Sequence, residues 1–257
     1  MAKPFSATPF LRQLFKAFHD IGNEVILVPY SGKPLQTEWW KCYPNPNLGK
    51  SEFLEKFLKK TKSFESNSNK LIPFLAQKFA KPKLEKLLKK IIIDEQDISA
   101  ILFIAIPLNQ ITGLSNNLKK EFQIPVLFYD VDLPTSLPEH GGFTFNYYPG
   151  SDLSEFDSIL VTSEGSISRL KELGAENVET VHIGIDPDEY VPIDIEKDID
   201  FFFYGHNGQS RKNFVNMMIT KPSKILDHNF ILGGRNYDME LGNAKFLSSK
   251  INFSKWI

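Results

Sequence analysis

Phe201 to Phe214 reads FFFYGHNGQSRKNF, an aromatic run that opens into a glycine-containing turn and closes on two basic residues. Gly205 and Gly208 let the backbone approach a ligand closely, and Arg211 and Lys212 offer charge-assisted hydrogen bonds to an anion. His206, just after the first glycine, is placed to touch the same phosphate. A helix beginning near Ser210 adds backbone N–H groups at its amino terminus. The spacing is not that of a Walker loop, and a tight turn followed by exposed basic side chains accounts for it equally well.

A second group surrounds Asp130 and Asp132 in YDVDLP, at the carboxyl end of an expected strand, where α/β sheets hold ligands. A D-x-D triplet can coordinate Mg²⁺ or Mn²⁺, yet no further oxygen ligands are legible, so a non-metal role is expected, with Asp130 orienting a sugar hydroxyl. His140, in the glycine-rich stretch PEHGGF, can serve as a general base near neutral pH. His182 falls within an apolar run and reads as a core histidine. Tyr147 and Tyr148 can stack on a ring or cover a strand edge, with packing the simpler use. No Ser-His-Asp order, H-E-x-x-H or G-x-G-x-x-G is present.

These residues need elements to position them. Phe156 to Pro192 reads as strand, helix, strand and a proline-bounded exit. The strand is Phe156 to Thr162, Ser163 is an N-cap, Gly174 a helix stop, and Asn177 to Ile183 the returning strand. The ligand edge of such a βαβ unit falls at Ser163 and Glu164, and again at Gly184 and Asp186. Upstream, Thr8-Pro9 opens a helix that Gly22 stops, and Glu24 to Tyr30 reads as a buried strand. Pro82 to Ile93 is an amphipathic helix with lysines opposite its leucines. Ala100 to Ile106 and Ile124 to Tyr129 are strands around a helix over Leu114 to Phe122. Sustained alternation of this kind predicts an α/β fold with a doubly wound, Rossmann-like parallel sheet. A charged linker, IDIEKDID, then leads to a new strand at Ile199 to Tyr204. Two domains are expected, 1–192 and 193–257, the second being the incomplete beginning of another α/β domain.

The chain of 257 residues is 42% hydrophobic, enough for one large core or two smaller ones. One cysteine, Cys42, rules out an internal disulfide. No segment approaches the ~20 apolar residues of a membrane span, which predicts a cytoplasmic protein. The net charge of −1 conceals an imbalance, because Lys50 to Lys90 holds twelve lysines against four glutamates. Such a region reads either as a solvated helical face or as a patch for an anionic membrane or another polyanion.

The segments YDVDLPTSL, FDSILVTSEGSISRLKELGAENVETVHIGIDPDEYVP and DIDFFFYGHNGQSRKNF resemble the amino-terminal half and domain crossover of GT-B glycosyltransferases, among them the spore-maturation glycosyltransferase-like group. The resemblance spans roughly residues 8–240. It implies a GT-B fold whose amino-terminal domain faces the acceptor and whose carboxyl-terminal domain binds a nucleotide sugar. It also implies that Gly205, Arg211 and Lys212 approach the donor diphosphate, and that Asp130 and Asp132 match an acidic strand-end motif.

The function implied is sugar transfer from a nucleotide-sugar donor to a cell-surface glycan or lipid-linked acceptor. Asp130 and His140 are then the catalytic candidates, Gly205, His206, Arg211 and Lys212 the diphosphate ligands, and Asp132, Ser163, Glu164, Gly184 and Asp186 the cleft lining. No metal, no separate cofactor and no nucleic-acid partner are expected. The alternative is a non-catalytic GT-B-derived module that docks on anionic membrane, at its inner face, or on a partner protein through Lys50 to Lys90.

Overall fold

The computed structural model describes residues 9–48, 71–133, 147–192, 194, 196–206, 211–235, 237 and 239–247. The chain divides into two compact units, the first running to Val191 and the second beginning at Pro192, apart from a short stretch outside the described residues. Each has its own parallel sheet.

In the first unit, α1 (Pro9–Asp20) leads to β1 (Ile26–Leu27), which pairs in parallel with β2 (Lys41–Cys42). After α2 (Leu71–Leu75) come α3 (Lys81–Glu95), β3 (Ile101–Ile104), α4 (Leu114–Phe122), β4 (Val126–Asp130), β5 (Ser158–Val161), α5 (Ile167–Glu172) and β6 (Val178–Thr180). The strands β3 to β6 form one four-stranded parallel sheet in sequential order. This is an α/β architecture compatible with a Rossmann-like fold. The order advances in one direction, and the reversal that defines double winding does not occur among the described strands of this sheet.

Register explains why this sheet is buried on one face. Phe103, Phe128, Ile159 and Val178 fall in a single row across all four strands. None is more than 9% exposed. Leu84 and Ile92 of α3, Leu114 and Leu118 of α4 and Leu170 of α5 pack in the same cluster, each such burial contributing about 1.5–3 kcal/mol. On the opposite face Ile104 packs against a smaller cluster of Phe15, Leu27, Trp40 and Cys42. The expected strand at Glu24 to Tyr30 shrinks to two paired residues because its partner, β2, is itself that short.

A π-helical turn, Ala76–Ala80, joins α2 to α3, so that helical geometry runs unbroken through Pro82. The same device recurs in the second unit, where the π turn Asn216–Thr220 precedes Lys221-Pro222. A proline inside a helix clashes with the carbonyl four residues back, and the widened turn gives that carbonyl room.

The cap of α4 comes from a distant residue. Gly113 sits at its start with no side chain to offer, and Glu155, only 3% exposed, accepts the Gly113 N–H at 2.6 Å. Burial pushes the Glu155 carboxyl up, against the pull of that N–H. A folded-state value above the unfolded one means that stability is fully present below the ordinary glutamate value of about 4.3 and is lost as pH rises through the raised value. Glu155→Gln keeps an acceptor oxygen and removes the charge. Its melting temperature should therefore gain on the parent's as pH rises from about 4 to 7, while Glu155→Ala, which loses the acceptor as well, should lie about 1 kcal/mol below Glu155→Gln throughout. Parallel melting curves for the parent and Glu155→Gln across that range would refute this account.

The second unit contains β7 (Phe201–His206), α6 (Lys212–Val215), α7 (Lys221–Ile225), β8 (Phe230–Arg235) and β9 (Lys245–Phe246). The three strands are parallel in sequential order. Val215, Ile219, Phe230 and Leu232 form its core, with Phe203 and Tyr237 against it. Among the described residues no helix is long and apolar enough to cross a membrane.

Candidate functional site

The carboxyl ends of β4 and β5 put Asp130 on the same sheet edge as Ser163 and Glu164, which follow Val161, its partner in register. Asp130 is 3% exposed. Its Oδ2 accepts the Tyr148 hydroxyl at 2.6 Å, and its Oδ1 accepts the Asp132 N–H at 2.9 Å. Burial, and secondarily the Asp130 carboxylate, raises the Tyr148 phenol far above its usual range. Tyr147 is pushed up to about 12 by the same two causes. Tyr30, at the exit of β1, is raised by burial and then by Tyr147, and its hydroxyl donates to Gln110 Oε1 at 2.6 Å.

This edge therefore carries one neutral phenol, Tyr148, that donates to a buried acid, and another, Tyr30, that donates to Gln110. Ala105, where β3 ends, has φ 49° and donates its N–H to the Tyr129 carbonyl at 3.0 Å. A left-handed non-glycine residue is uncommon and concentrates at ligand edges, where surrounding structure holds it in place.

The other residues singled out in this unit are distributed along the same edge. Asp132, Ser163 and Glu164 are exposed, Ser163 opening a short 3-10 turn without a side-chain cap. Gly184 is exposed beyond β6. Asp186 is turned onto α1: its N–H donates to Gln13 Oε1 at 2.8 Å, and its carboxylate lies 3.5 Å from Lys16 Nζ. The Asp188 N–H, then the Lys16 charge, holds that carboxyl below the usual range, partly offset by desolvation. His182 departs from the expected core position. The strand β6 ends at Thr180, leaving His182 exposed with Nδ1 3.3 Å from the Thr162 carbonyl. His140 lies outside the described residues.

A depression of about 210 Å³ between Lys119, Gln123, Ile124, Pro125 and Asp157 lies at the opposite, amino-terminal edge of the sheet. Lys119 and Asp157 are already paired there at 2.9 Å. It contains no uncommitted pair of groups for chemistry. Among the described residues no cluster of three or more metal-ligating side chains occurs.

In the second unit the carboxyl ends of β7 and β8 lie side by side, with Gly205 opposite Gly234 and His206 opposite Arg235. Gly234 has φ 121°, and a Cβ there would stand 1.8 Å from the Gly205 carbonyl oxygen. The two backbones can meet only because Gly234 lacks a side chain at that point of approach. Tyr237 donates its hydroxyl to the same Gly205 oxygen at 3.2 Å. Arg211 Nη1 lies 3.7 Å from where a Cβ on Gly205 would be, and its charge lowers the Tyr237 phenol against the larger upward push of burial.

Gly205 and Arg235 thus stand at the ends of adjacent strands, with the Arg211 guanidinium near Gly205, an arrangement suited to an oxyanion. Lys212 is exposed at the start of α6, while Gly208 and Ser210 lie outside the described residues. Gly234 and Arg235 were not evident from FILGGR alone, although a Gly-Gly pair ending an apolar run is the signal that could have found them. No protein-family model matches the chain, and no curated protein matches it at a significant level.

Proposed function

We propose that this chain binds a nucleotide sugar and acts, within a GT-B-type architecture, in glycosyl transfer to a glycan or lipid-linked acceptor. The observation that carries the reading is the edge of the second unit, where half-buried Gly205 presents backbone without a side chain beside the Arg211 guanidinium. The resemblance to glycosyltransferases over roughly residues 8–240, strongest over 125–215, supports it as well. In transfer, the acceptor oxygen bonds to the anomeric carbon, the carbon–oxygen bond to the diphosphate breaks, and the diphosphate leaves with the electron pair. Arg211, with Lys212 next to it and His206 five positions before it, stabilises that developing charge. The acceptor proton passes to a base, for which His140 is the candidate. Asp130, enclosed by Tyr148, is a positioning residue that holds the phenol and the 130–132 turn.

Calorimetric titration of the full chain with UDP, GDP and their sugar conjugates tests this. Binding is expected, and Arg211→Ala should weaken it roughly tenfold to a hundredfold, as for loss of a charged hydrogen bond. The absence of heat with every nucleotide at millimolar concentration, or equal affinity in Arg211→Ala, would refute the proposal.

A further inference from the structure

The outward face of α3 and of the π turn before it carries a row of side chains that packing does not explain. Phe79, Lys83, Lys86, Lys90 and Ile93 follow at i, i+4, i+7, i+11 and i+14, and all five are exposed. Phe79 and Ile93, at the two ends of the row, are 58% and 62% exposed. At 1.5 Å per residue they stand about 21 Å apart. Phe74, 59% exposed, enlarges the first apolar end, and Lys78 Nζ lies 5.9 Å from its ring centre and 5.6 Å from that of Phe79.

The lysines of this helix divide by role. Lys89 turns to Glu85 at 3.1 Å and Glu121 at 2.7 Å, tying α3 to α4, and Lys90 pairs with Asp94. Lys83 and Lys86 have no acidic partner among the described residues. The inward positions Leu84, Ile91 and Ile92 are buried in the unit's own core, so Phe79 and Ile93 are additional apolar surface on the far side.

We infer that this row is a docking surface for an anionic lipid bilayer. A convex helix face with cations between large apolar side chains fits the boundary of headgroups and acyl chains, the lysines meeting lipid phosphates while Phe and Ile enter the apolar layer. A nucleic-acid track would use the lysines, and rings for stacking, but would leave Ile93 without a role. Residues 71–90 hold six lysines against one glutamate, which gives the helix and the turn before it the same sign. The inference does not depend on nucleotide binding by the second unit.

Co-sedimentation of the full chain with vesicles of phosphatidylglycerol and phosphatidylcholine, against phosphatidylcholine alone, provides the test at low ionic strength. The chain should bind the mixed vesicles and not the neutral ones. Lys83→Gln with Lys86→Gln should weaken binding roughly 30-fold, and Phe79→Ser with Ile93→Ser roughly tenfold or more at unchanged charge. Lys171→Gln with Lys197→Gln, exposed on other segments, should bind as the parent does. Failure to bind anionic vesicles overturns the inference. So does unchanged binding by Phe79→Ser with Ile93→Ser, and a single-stranded oligonucleotide bound equally well by that variant would then assign the lysines to nucleic acid.

Discussion

Gly234→Ala will unfold the second unit while the first remains folded. The added methyl would stand 1.8 Å from the Gly205 oxygen and 2.7 Å from its carbonyl carbon, both backbone atoms that no side-chain rotation can move aside. The φ of 121° at this position is also closed to residues with a Cβ. Relieving the overlap requires separating β7 from β8, the pair that holds Phe203 and Leu232 in register. Overpacking and strain together cost roughly 3–5 kcal/mol, comparable to the whole stability of so small a unit. Limited proteolysis of the full chain should release fragments from residues beyond 192 while the remainder persists, and calorimetry should lose one transition. A melting profile identical to the parent's would show that the strand edge is looser than described.

Gly205→Ala gives the contrasting result. A Cβ there would meet the Phe203 ring at 3.1 Å and 3.3 Å and come within 3.7 Å of Arg211 Nη1. A ring can turn where a backbone carbonyl cannot, so the unit should remain folded. Nucleotide binding, which needs the backbone uncovered, should fall. The two alanine substitutions, facing one another across the same strand pair, separate the fold of this edge from its use.

The legible features were those set by neighbours in sequence. The helix α4 spans Leu114–Phe122 as its apolar spacing predicts, and α5 is followed by Gly174 at φ 101°, whose N–H bonds the Lys171 carbonyl. Capping and periodicity act within one or two turns, and a single sequence displays them directly. The run Glu24 to Tyr30 announces burial, and Val28 and Tyr30 do pack against the main core. It does not announce how many residues find a strand partner, because that depends on where Lys41–Cys42 arrives. The two π turns were illegible for a related reason: proline signals a break, while here the wider turn absorbs it and continues the helix.

Site residues divide in the same way. Asp130, Ser163 and Glu164 could be placed on one edge from strand ends alone, because parallel strands share a direction. The contacts that give the edge its chemistry are long-range. Tyr148 meets Asp130 from eighteen positions away, and Tyr30 meets Gln110 from eighty. No period in the sequence connects such pairs. The Tyr237 hydroxyl likewise reaches the Gly205 carbonyl from thirty-two positions away, with the Arg211 charge acting on its phenol.

Asp130→Ala should destabilise the first unit by roughly 3–4 kcal/mol, since it removes a charged hydrogen bond and leaves the Tyr148 hydroxyl buried without its acceptor. Asp130→Asn retains one acceptor oxygen for two donors, the Tyr148 O–H and the Asp132 N–H, and should cost about half as much. Tyr148→Phe removes the donor at 2.6 Å and keeps the ring against Phe128; its cost should be about 1–3 kcal/mol, from a buried carboxylate deprived of one partner. If Asp130 serves chiefly to hold Tyr148, the two losses are the same loss. Urea denaturation of Asp130→Asn, Tyr148→Phe and the double variant should then give a coupling of about 1–2 kcal/mol. Additive effects would show that the two side chains stabilise the unit separately, and would remove the positioning role assigned to Asp130 through Tyr148.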